Sequence, residues 1–157
     1  MGREGPAGLD LFAEFTGLVS ALDEAGVDYA VVGALALAIH GVPRATTDID
    51  LLVPPGAVEA ALRVGRTRGF LLEADPLTFR DGMVVRRLNK FEGEDHLTLD
   101  LIVVNENLTP AWASRLRVES EDGPIWVVSR EALVRMKATA GRPQDLADID
   151  SLREQDR

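Results

Sequence analysis

Two aspartates placed two residues apart are the side chains of this sequence best suited to chemistry. Asp48 and Asp50 lie in the segment DIDLLV, an apolar run that predicts a buried strand ending at Pro54-Pro55. Because side chains alternate along a strand, both carboxylates point to one face. Two carboxylates in a mostly buried strand repel each other and lose hydration, so they bind a proton or share a cation. Oxygen ligands with no Cys or His nearby favour Mg²⁺ or Mn²⁺.

The same tripeptide near the C-terminus shows that spacing alone does not identify a site. Asp148-Ile149-Asp150 falls in a predicted helix, where residues two positions apart do not share a face. Only the first copy lies on a predicted strand and follows a strand–glycine–helix turn at Gly33-Ala34. The context therefore singles out Asp48 and Asp50.

A third carboxylate interrupts the strongest predicted strand of the chain. Asp100 lies within LTLDLIVV, residues 97–104, where a charge is costly unless it is paired or binds a metal. If this strand lies beside that of Asp48 and Asp50, the three carboxylates converge and can hold two divalent ions. Two other interpretations stay open. Asp100 faces solvent on an edge strand, or it faces the other side of the sheet and there is no metal site.

Composition excludes several classes of protein. The 157 residues contain no Cys and two His, so disulfides and a Cys- or His-rich zinc site are not expected. The formal net charge of −9 is opposite in sign to that of proteins that grip nucleic acid over a large area. With no long apolar run and no signal-peptide pattern, we expect a cytoplasmic protein without a membrane partner.

The length predicts a single domain over residues 1–157, with residues 1–8 and 155–157 frayed.

Hydrophobic spacing and turn residues predict the elements that position these carboxylates. Helices are expected over residues 9–25, 34–39, 58–68, 129–140 and 143–153, with a further helix starting at Thr109-Pro110. Strands are expected over residues 29–32, 48–53, 70–73, 83–88, 97–104 and 125–128. This order predicts an α/β or α+β fold with a mixed sheet and flanking helices.

Together these motifs resemble the nucleotidyltransferase (DNA polymerase β-like) superfamily. The resemblance rests on the Gly33-Ala34 turn and short helix, Arg44, Thr46, the DID strand and the later lone Asp in a strand. It extends to Lys137 and the stretch AGRPQDLADIDSL, which is similar to the closing helices of small bacterial abortive-infection toxin-type nucleotidyltransferases. Lincosamide-type antibiotic nucleotidyltransferases show a similar pattern. The resemblance covers residues 25–152 and implies a minimal nucleotidyltransferase fold.

The resemblance also implies roles for individual residues. Asp48, Asp50 and Asp100 would hold two Mg²⁺ or Mn²⁺ ions, and Asp100 would activate the acceptor hydroxyl. The remaining candidates would bind the nucleotide or line its cleft, with Asp148 as a weak addition: Gly33, Ala34, Arg44, Thr46, Lys137 and Asp148.

The implied function is Mg²⁺-dependent transfer of a nucleoside monophosphate from an NTP to a hydroxyl of a tRNA, a protein or a small molecule. A role in a toxin–antitoxin pair, with a cognate protein partner, is one setting for this activity. The alternative is a weak or inactive nucleotidyltransferase-fold module that acts as an antitoxin or a partner subunit. This alternative is motivated by Ala34, because the family often has Ser or Gly after the turn glycine.

Overall fold

Six α-helices and eight strands lie within residues 8–155, the range of the chain that the computed structural model describes. The helices α1–α6 span Leu11–Glu24, Gly33–Ile39, Val58–Thr67, Thr109–Ala113, Arg130–Ala140 and Pro143–Gln155. The strands β1–β8 span Ala30–Val32, Asp48–Val53, Leu72–Glu73, Leu77–Thr78, Val84–Glu92, Asp95–Val103, Leu116–Val118 and Ile125–Val127. Among residues 8–155, none of the helices has both the length and the hydropathy that a membrane span requires.

The strands of this range form one mixed sheet in the order β3-β5-β6-β2-β1-β8-β7, and β4 pairs with β5. β2 runs parallel to β6 and antiparallel to β1, while β5 and β6 form an antiparallel hairpin. The sheet and its helices confirm the predicted α+β class. A parallel pair needs a crossover between its strands, and here the crossover contains α3 and β3–β5.

Helices α1 and α3 belong to the layer that buries one face of the sheet. α1 begins at Asp10, whose carboxylate accepts the N–H groups of Phe12 and Ala13. In α3, Gly65 approaches the sheet so closely that a Cβ would lie 2.9 Å from Leu88 and 3.1 Å from Leu99. The side chains buried in this core include Phe15, Leu18, Leu22, Leu62, Phe70, Leu88, Leu99 and Leu101. Because Leu99 and Leu101 face this layer, Asp100 between them faces the opposite side.

Helix α5 begins and ends where the sequence predicts, whereas α6 begins at the predicted Pro143 but continues to Gln155, two residues beyond its expected end. The Ser129 hydroxyl accepts the N–H of Ala132 at the start of α5. Gly141 ends α5 in the left-handed conformation with φ of 66°, and Pro143 then opens α6. This tight connection sets α6 against α5.

Some predicted strand boundaries are wrong. The strand expected over residues 83–88 continues to Glu92, because residues 89–92 pair with residues 95–98 around a turn at Gly93. Within the segment expected as a strand over residues 70–73, only Leu72–Glu73 pair with β5. Strands β4 and β7 were not predicted, because their two and three residues are mostly exposed and lack the buried apolar run that marks the equally short β1 and β8.

The predicted fraying of the chain ends falls mostly on residues 1–7 and 156–157, which lie outside the described residues. Of the other two positions, Gln155 is the last residue of α6. Gly8 lies next to Asp95, whose carboxylate accepts the N–H of Leu9 at 2.9 Å.

Candidate active site

Asp50 and Asp100 lie side by side on neighbouring parallel strands. Their Cα atoms are register partners. Asp48 lies two residues earlier on β2, on the same face, and is paired with Thr98 of β6. Neighbouring strands are about 4.8 Å apart, and directly paired residues share a face. β6 is an internal strand and Asp100 is only 7% exposed, which excludes an edge strand with Asp100 in solvent. The register likewise excludes the arrangement in which Asp100 and the pair face different sides.

The carboxyl group of Asp50 carries the strongest electrostatic perturbation in this cluster. Burial raises its pKa from 3.8 to about 7, and the neighbouring charges of Asp100 and Asp48 act in the same direction. Arg87 and Lys137 act in the opposite direction but do not restore the ordinary pKa. Asp50 is therefore held where its negative charge lacks compensation, and such a group favours a cation or a proton.

Gly33 fits against Asp50 in a way that no other residue type can match. It has φ of 71°, and a Cβ built on it would lie 2.3 Å from a carboxylate oxygen of Asp50. Both the left-handed backbone and the close approach require glycine. The turn at Gly33-Ala34 therefore leads from β1 into α2 directly against the carboxylate.

Asp100 is bound by an arginine that comes from the neighbouring strand. Arg87 lies opposite Asp100 in the β5–β6 hairpin and donates from Nε at 2.7 Å and from Nη2 at 2.9 Å, one bond to each carboxylate oxygen. These hydrogen bonds are the main cause of the raised pKa of Arg87. Arg87 and Asp100 therefore form a bidentate salt bridge, which fixes the orientation of the Asp100 carboxylate.

Asp148 is a nearly fully buried carboxylate that binds two cations. Its oxygens lie 2.9 Å from the Lys137 ammonium and 2.7 Å from Arg44 Nη1, and they accept the Gln144 amide at 3.0 Å. Burial alone would raise the pKa of Asp148, but the hydrogen bonds outweigh burial and the pKa is lowered. Arg44 and Lys137, both predicted to line the nucleotide cleft, are therefore tied to one side chain of α6.

Asp145 lies about one helical turn before Asp148 and is also a buried acid that binds cations. It accepts Arg142 Nε at 2.7 Å and Nη2 at 3.1 Å, and Lys137 Nζ lies 3.4 Å away. Hydrogen bonding to Arg142 is the largest influence and lowers the pKa of Asp145 to about 2. The ionised form is therefore the stable one, and it pairs with the cations of α5 and the α5–α6 connection.

A cleft of about 140 Å³ joins these two groups of charges. Its walls combine apolar side chains from β1, β6 and α5 with the polar groups described above, and its lining is Val32, Gly33, Asp50, Ile102, Leu133, Met136, Lys137, Ala140, Arg142 and Asp145. A concave site with an apolar lining and a few convergent polar groups is the usual form of a small-molecule site. A pocket of about 90 Å³ between α1 and the loop before β8 contains none of the predicted residues.

The carboxylate cluster supplies the donor chemistry that a hard divalent cation needs. Asp48 is exposed, and no hydrogen bond or ion pair of residues 8–155 involves the carboxylate of Asp50. Asp100, in contrast, already has both oxygens on Arg87. Within the described range, no three acidic or histidine side chains are grouped as a complete metal site. Asp48 and Asp50 therefore fit Mg²⁺ or Mn²⁺ as they stand, while Asp100 fits only if its contact with Arg87 changes or is shared.

Thr46 contacts the backbone of the site strand. Its hydroxyl accepts the N–H of Asp48 at 3.0 Å, which fixes the start of β2. The sequence did not single out Arg87 or Asp145 for the site. Arg87 could have been found by placing a hairpin turn at Gly93, because that turn sets Arg87 opposite Asp100.

A family match and several structural likenesses agree with the resemblance drawn from the sequence. The family model described as nucleotidyltransferase of unknown function (DUF6036) matches residues 9–153. Among curated proteins, none matches this chain.

Solved structures with a similar fold carry nucleotidyltransferase descriptions. TM1012 of Thermotoga maritima, a provisionally assigned nucleotidyltransferase, is 17% identical with a TM-score of 0.66, over 91% of this chain and 90% of that one. An antigenic nucleotidyltransferase-like protein of Paracoccidioides brasiliensis is 20% identical with a TM-score of 0.53, over 94% and 78%. ANT(2'')-Ia, in complex with adenylyl-2''-tobramycin, is 17% identical with a TM-score of 0.58, over 89% and 85%. At these identities the likeness establishes the fold.

Proposed function

The chain belongs to the nucleotidyltransferases of unknown function grouped as DUF6036, and from this premise we propose that it transfers a nucleoside monophosphate from an NTP to a hydroxyl acceptor. The observation that carries the proposal is the pairing of Asp50 with Asp100 on adjacent parallel strands, at a cleft that also contains Lys137. A buried and a half-buried carboxylate, paired beside a cationic side chain, suit a substrate that brings both metal ions and phosphates.

Metal binding is assigned to the three carboxylates. Asp48 and Asp50 would hold the first Mg²⁺ or Mn²⁺, and Asp100 would complete the site for a second ion. When bound, such ions stabilise negative charge on phosphate oxygens as Lewis acids. In the transfer, the acceptor oxygen bonds to the α-phosphorus, the bond to the β-phosphate oxygen breaks and pyrophosphate leaves. Asp100 is the proposed receiver of the acceptor proton.

Nucleotide binding is assigned to the cleft. Lys137 would contact the triphosphate, because its ammonium lies on the cleft wall and Asp148 fixes its position. The backbone at Gly33 and Ala34 would approach the phosphates, since neither residue carries a side chain beyond Cβ. Arg44 and Thr46 would support the same wall from the loop before β2, with Asp148 acting through Lys137 and Arg44.

The acceptor is assigned only by its hydroxyl group. ANT(2'')-Ia is described with an adenylylated tobramycin, so a small polyhydroxylated molecule is one acceptor class that the shared fold accommodates. A tRNA or a protein hydroxyl is the alternative, in a toxin–antitoxin setting with a protein partner. The proposed location is the cytoplasm, where NTPs are abundant.

The test follows the α-phosphate. Purified protein with Mg²⁺ and an NTP labelled at the α-phosphorus should label an acceptor fraction, whereas a γ-label should appear only in pyrophosphate. Asp50→Asn and Asp100→Asn should each lower the transfer by about a hundredfold or more. Asp150→Asn is the matched control, because Asp150 belongs to the second DID segment and is exposed. Equal transfer by wild type and Asp50→Asn would refute the proposal.

Two observations favour a second candidate, a nucleotide-binding module with little turnover. Arg87 already neutralises Asp100, and Ala34 offers no hydroxyl at the turn. Calorimetry that shows Mg²⁺-dependent NTP binding, with no transfer to RNA, protein or small-molecule acceptors and with a stable protein complex, would support this candidate.

A further inference from the structure

Arg87 is the basic side chain placed most directly against the carboxylate cluster. It is a register partner of Asp100 on β5, and both Asp100 oxygens accept hydrogen bonds from it. Its positive charge also interacts with Asp48 and Asp50. The Arg87 side chain is 40% exposed while that of Asp100 is 11% exposed, so the guanidinium covers the carboxylate from the solvent side.

The neighbouring arginine shows that this placement is specific. Arg86 is the adjacent residue of β5, so its side chain points to the other face of the sheet. There it forms ion pairs with Glu73 at 2.5 Å and with Glu59 at 3.4 Å. Its contacts lie away from Asp48, Asp50 and Asp100. Two adjacent arginines on one strand therefore serve different faces, and only Arg87 serves the face of the site.

A divalent cation and Arg87 have competing requirements for the same carboxylate. A cation that takes Asp100 as a ligand brings two positive charges next to the guanidinium, whose repulsion is significant at such short range. The bidentate contact leaves the ion to share the remaining lone pairs of Asp100 or to displace Arg87. In either case the contact between Arg87 and Asp100 opposes cation binding.

We propose that Arg87 is a positioning residue that sets the affinity of the divalent-cation site by holding Asp100. This inference rests on the proposed function, since it takes the metal site of that function as given. It adds that occupancy of Asp100 by the cation is coupled to release or weakening of the Arg87 contact. Where the contact is released, the loaded site exposes the Arg87 guanidinium at its outer rim.

The experiment measures Mn²⁺ binding by electron paramagnetic resonance at pH 8.5, without nucleotide and without acceptor. Arg87→Met should bind Mn²⁺ about tenfold more tightly than wild type, which corresponds to about 1.4 kcal/mol. Arg87→Lys keeps the positive charge but cannot form the bidentate contact with Asp100, so its affinity for Mn²⁺ should rise by about threefold over wild type. Arg86→Met is the matched control and should equal wild type. Adding Asp100→Asn to Arg87→Met should abolish the gain.

Each outcome separates this inference from the proposed function. Equal or weaker Mn²⁺ binding by both Arg87 variants, or no binding by any protein, overturns the role of Arg87. Transfer activity with unchanged Mn²⁺ affinity overturns only this inference. Tighter Mn²⁺ binding without any transfer supports Arg87 while the proposed function fails. If Arg87→Met does not fold, as judged by circular dichroism, Arg87→Lys decides the question alone.

Discussion

The ammonium group of Lys137 lies 2.9 Å from a carboxylate oxygen of Asp148, a side chain that is only 3% exposed. The same carboxylate binds Arg44, so one buried acid connects the loop before β2 with helix α5. Lys137 in turn lines the cleft beside Asp50. Through Asp148, helix α6 therefore fixes the positions of Lys137 and Arg44. Asp148 itself does not line the cleft, whereas Asp145 of α6 and the preceding Arg142 do.

This connection predicts unequal effects of removing its two ends. Asp148→Asn removes the carboxylate that Arg44 and Lys137 share, leaves Lys137 with its 3.4 Å contact to Asp145, and should lower the free energy of unfolding by roughly 3 kcal/mol. Lys137→Met leaves Asp148 with Arg44 and should cost roughly 1 kcal/mol. Urea denaturation measures both, with Asp150→Asn as the exposed control, expected within about 0.5 kcal/mol of wild type. Equal losses would contradict the assignment of Asp148 as the shared anchor.

The contact between Gly33 and Asp50 predicts a strong effect of a single methyl group. Gly33→Ala should lower NTP binding or transfer by about a hundredfold, because its Cβ would meet the Asp50 carboxylate at 2.3 Å. Gly26→Ala is a matched control, since Gly26 has φ of 70° and a Cβ added to it would have nothing within 4 Å. Both variants should lose roughly 1 kcal/mol from backbone strain. Equal losses of activity in Gly33→Ala and Gly26→Ala would show that the close approach of Gly33 to Asp50 does not contribute to activity.

Asp50 should make the fold less stable as the pH rises. Its pKa in the folded chain is about 7 against an ordinary 3.8, so the folded chain holds the proton more tightly. The contribution of Asp50 to the free energy of unfolding is therefore fully present below about pH 4 and is lost as the pH rises through about 7. In chelator at pH 8, Asp50→Asn should be more stable than wild type by roughly 1–3 kcal/mol, and the difference should vanish near pH 4. Chemical denaturation across this range checks the sign.

Asp145 should have the opposite pH dependence. Its folded pKa of about 2 lies below the ordinary 3.8, so its contribution is present above about pH 4 and is lost as the pH falls toward 2. The contribution at neutral pH is roughly 2 kcal/mol. Asp145→Asn should therefore unfold more easily than wild type at pH 7 but by a smaller margin at about pH 2.5. A pH-independent difference would show that Asp145 acts through packing and not through its charge.

The sequence predicts the fold well where periodicity is strong. The predicted strand over residues 48–53 agrees with β2 at both ends, because a buried apolar run between Thr47 and Pro54 leaves little freedom in its boundaries. Helix α5 is equally well defined by Ser129 and Gly141. The short strands β4 and β7 carry no such signal, since their pairing depends on neighbours outside their own segments.

The candidate site could be predicted only to a limited extent. The carboxylates were identified from their strand context, and the register of β2 with β6 now places Asp50 opposite Asp100. The partners of Arg44 and Lys137 were not found, because salt bridges between α5, α6 and the loop before β2 depend on tertiary packing. A signal did exist for α6, where Asp145 and Asp148 share a helical stripe with buried Ile149 and Leu152.

The parallel neighbours β2 and β6 have a consequence for folding. Their pairing is non-local, and the intervening helix and hairpin must close a long loop before Asp50 meets Asp100. Contacts of this kind form slowly and raise the contact order of the chain. A nascent polypeptide whose β6 is still inside the ribosome therefore lacks the pairing of Asp50 with Asp100, and the site proposed to bind the nucleotide is completed only after that strand has emerged.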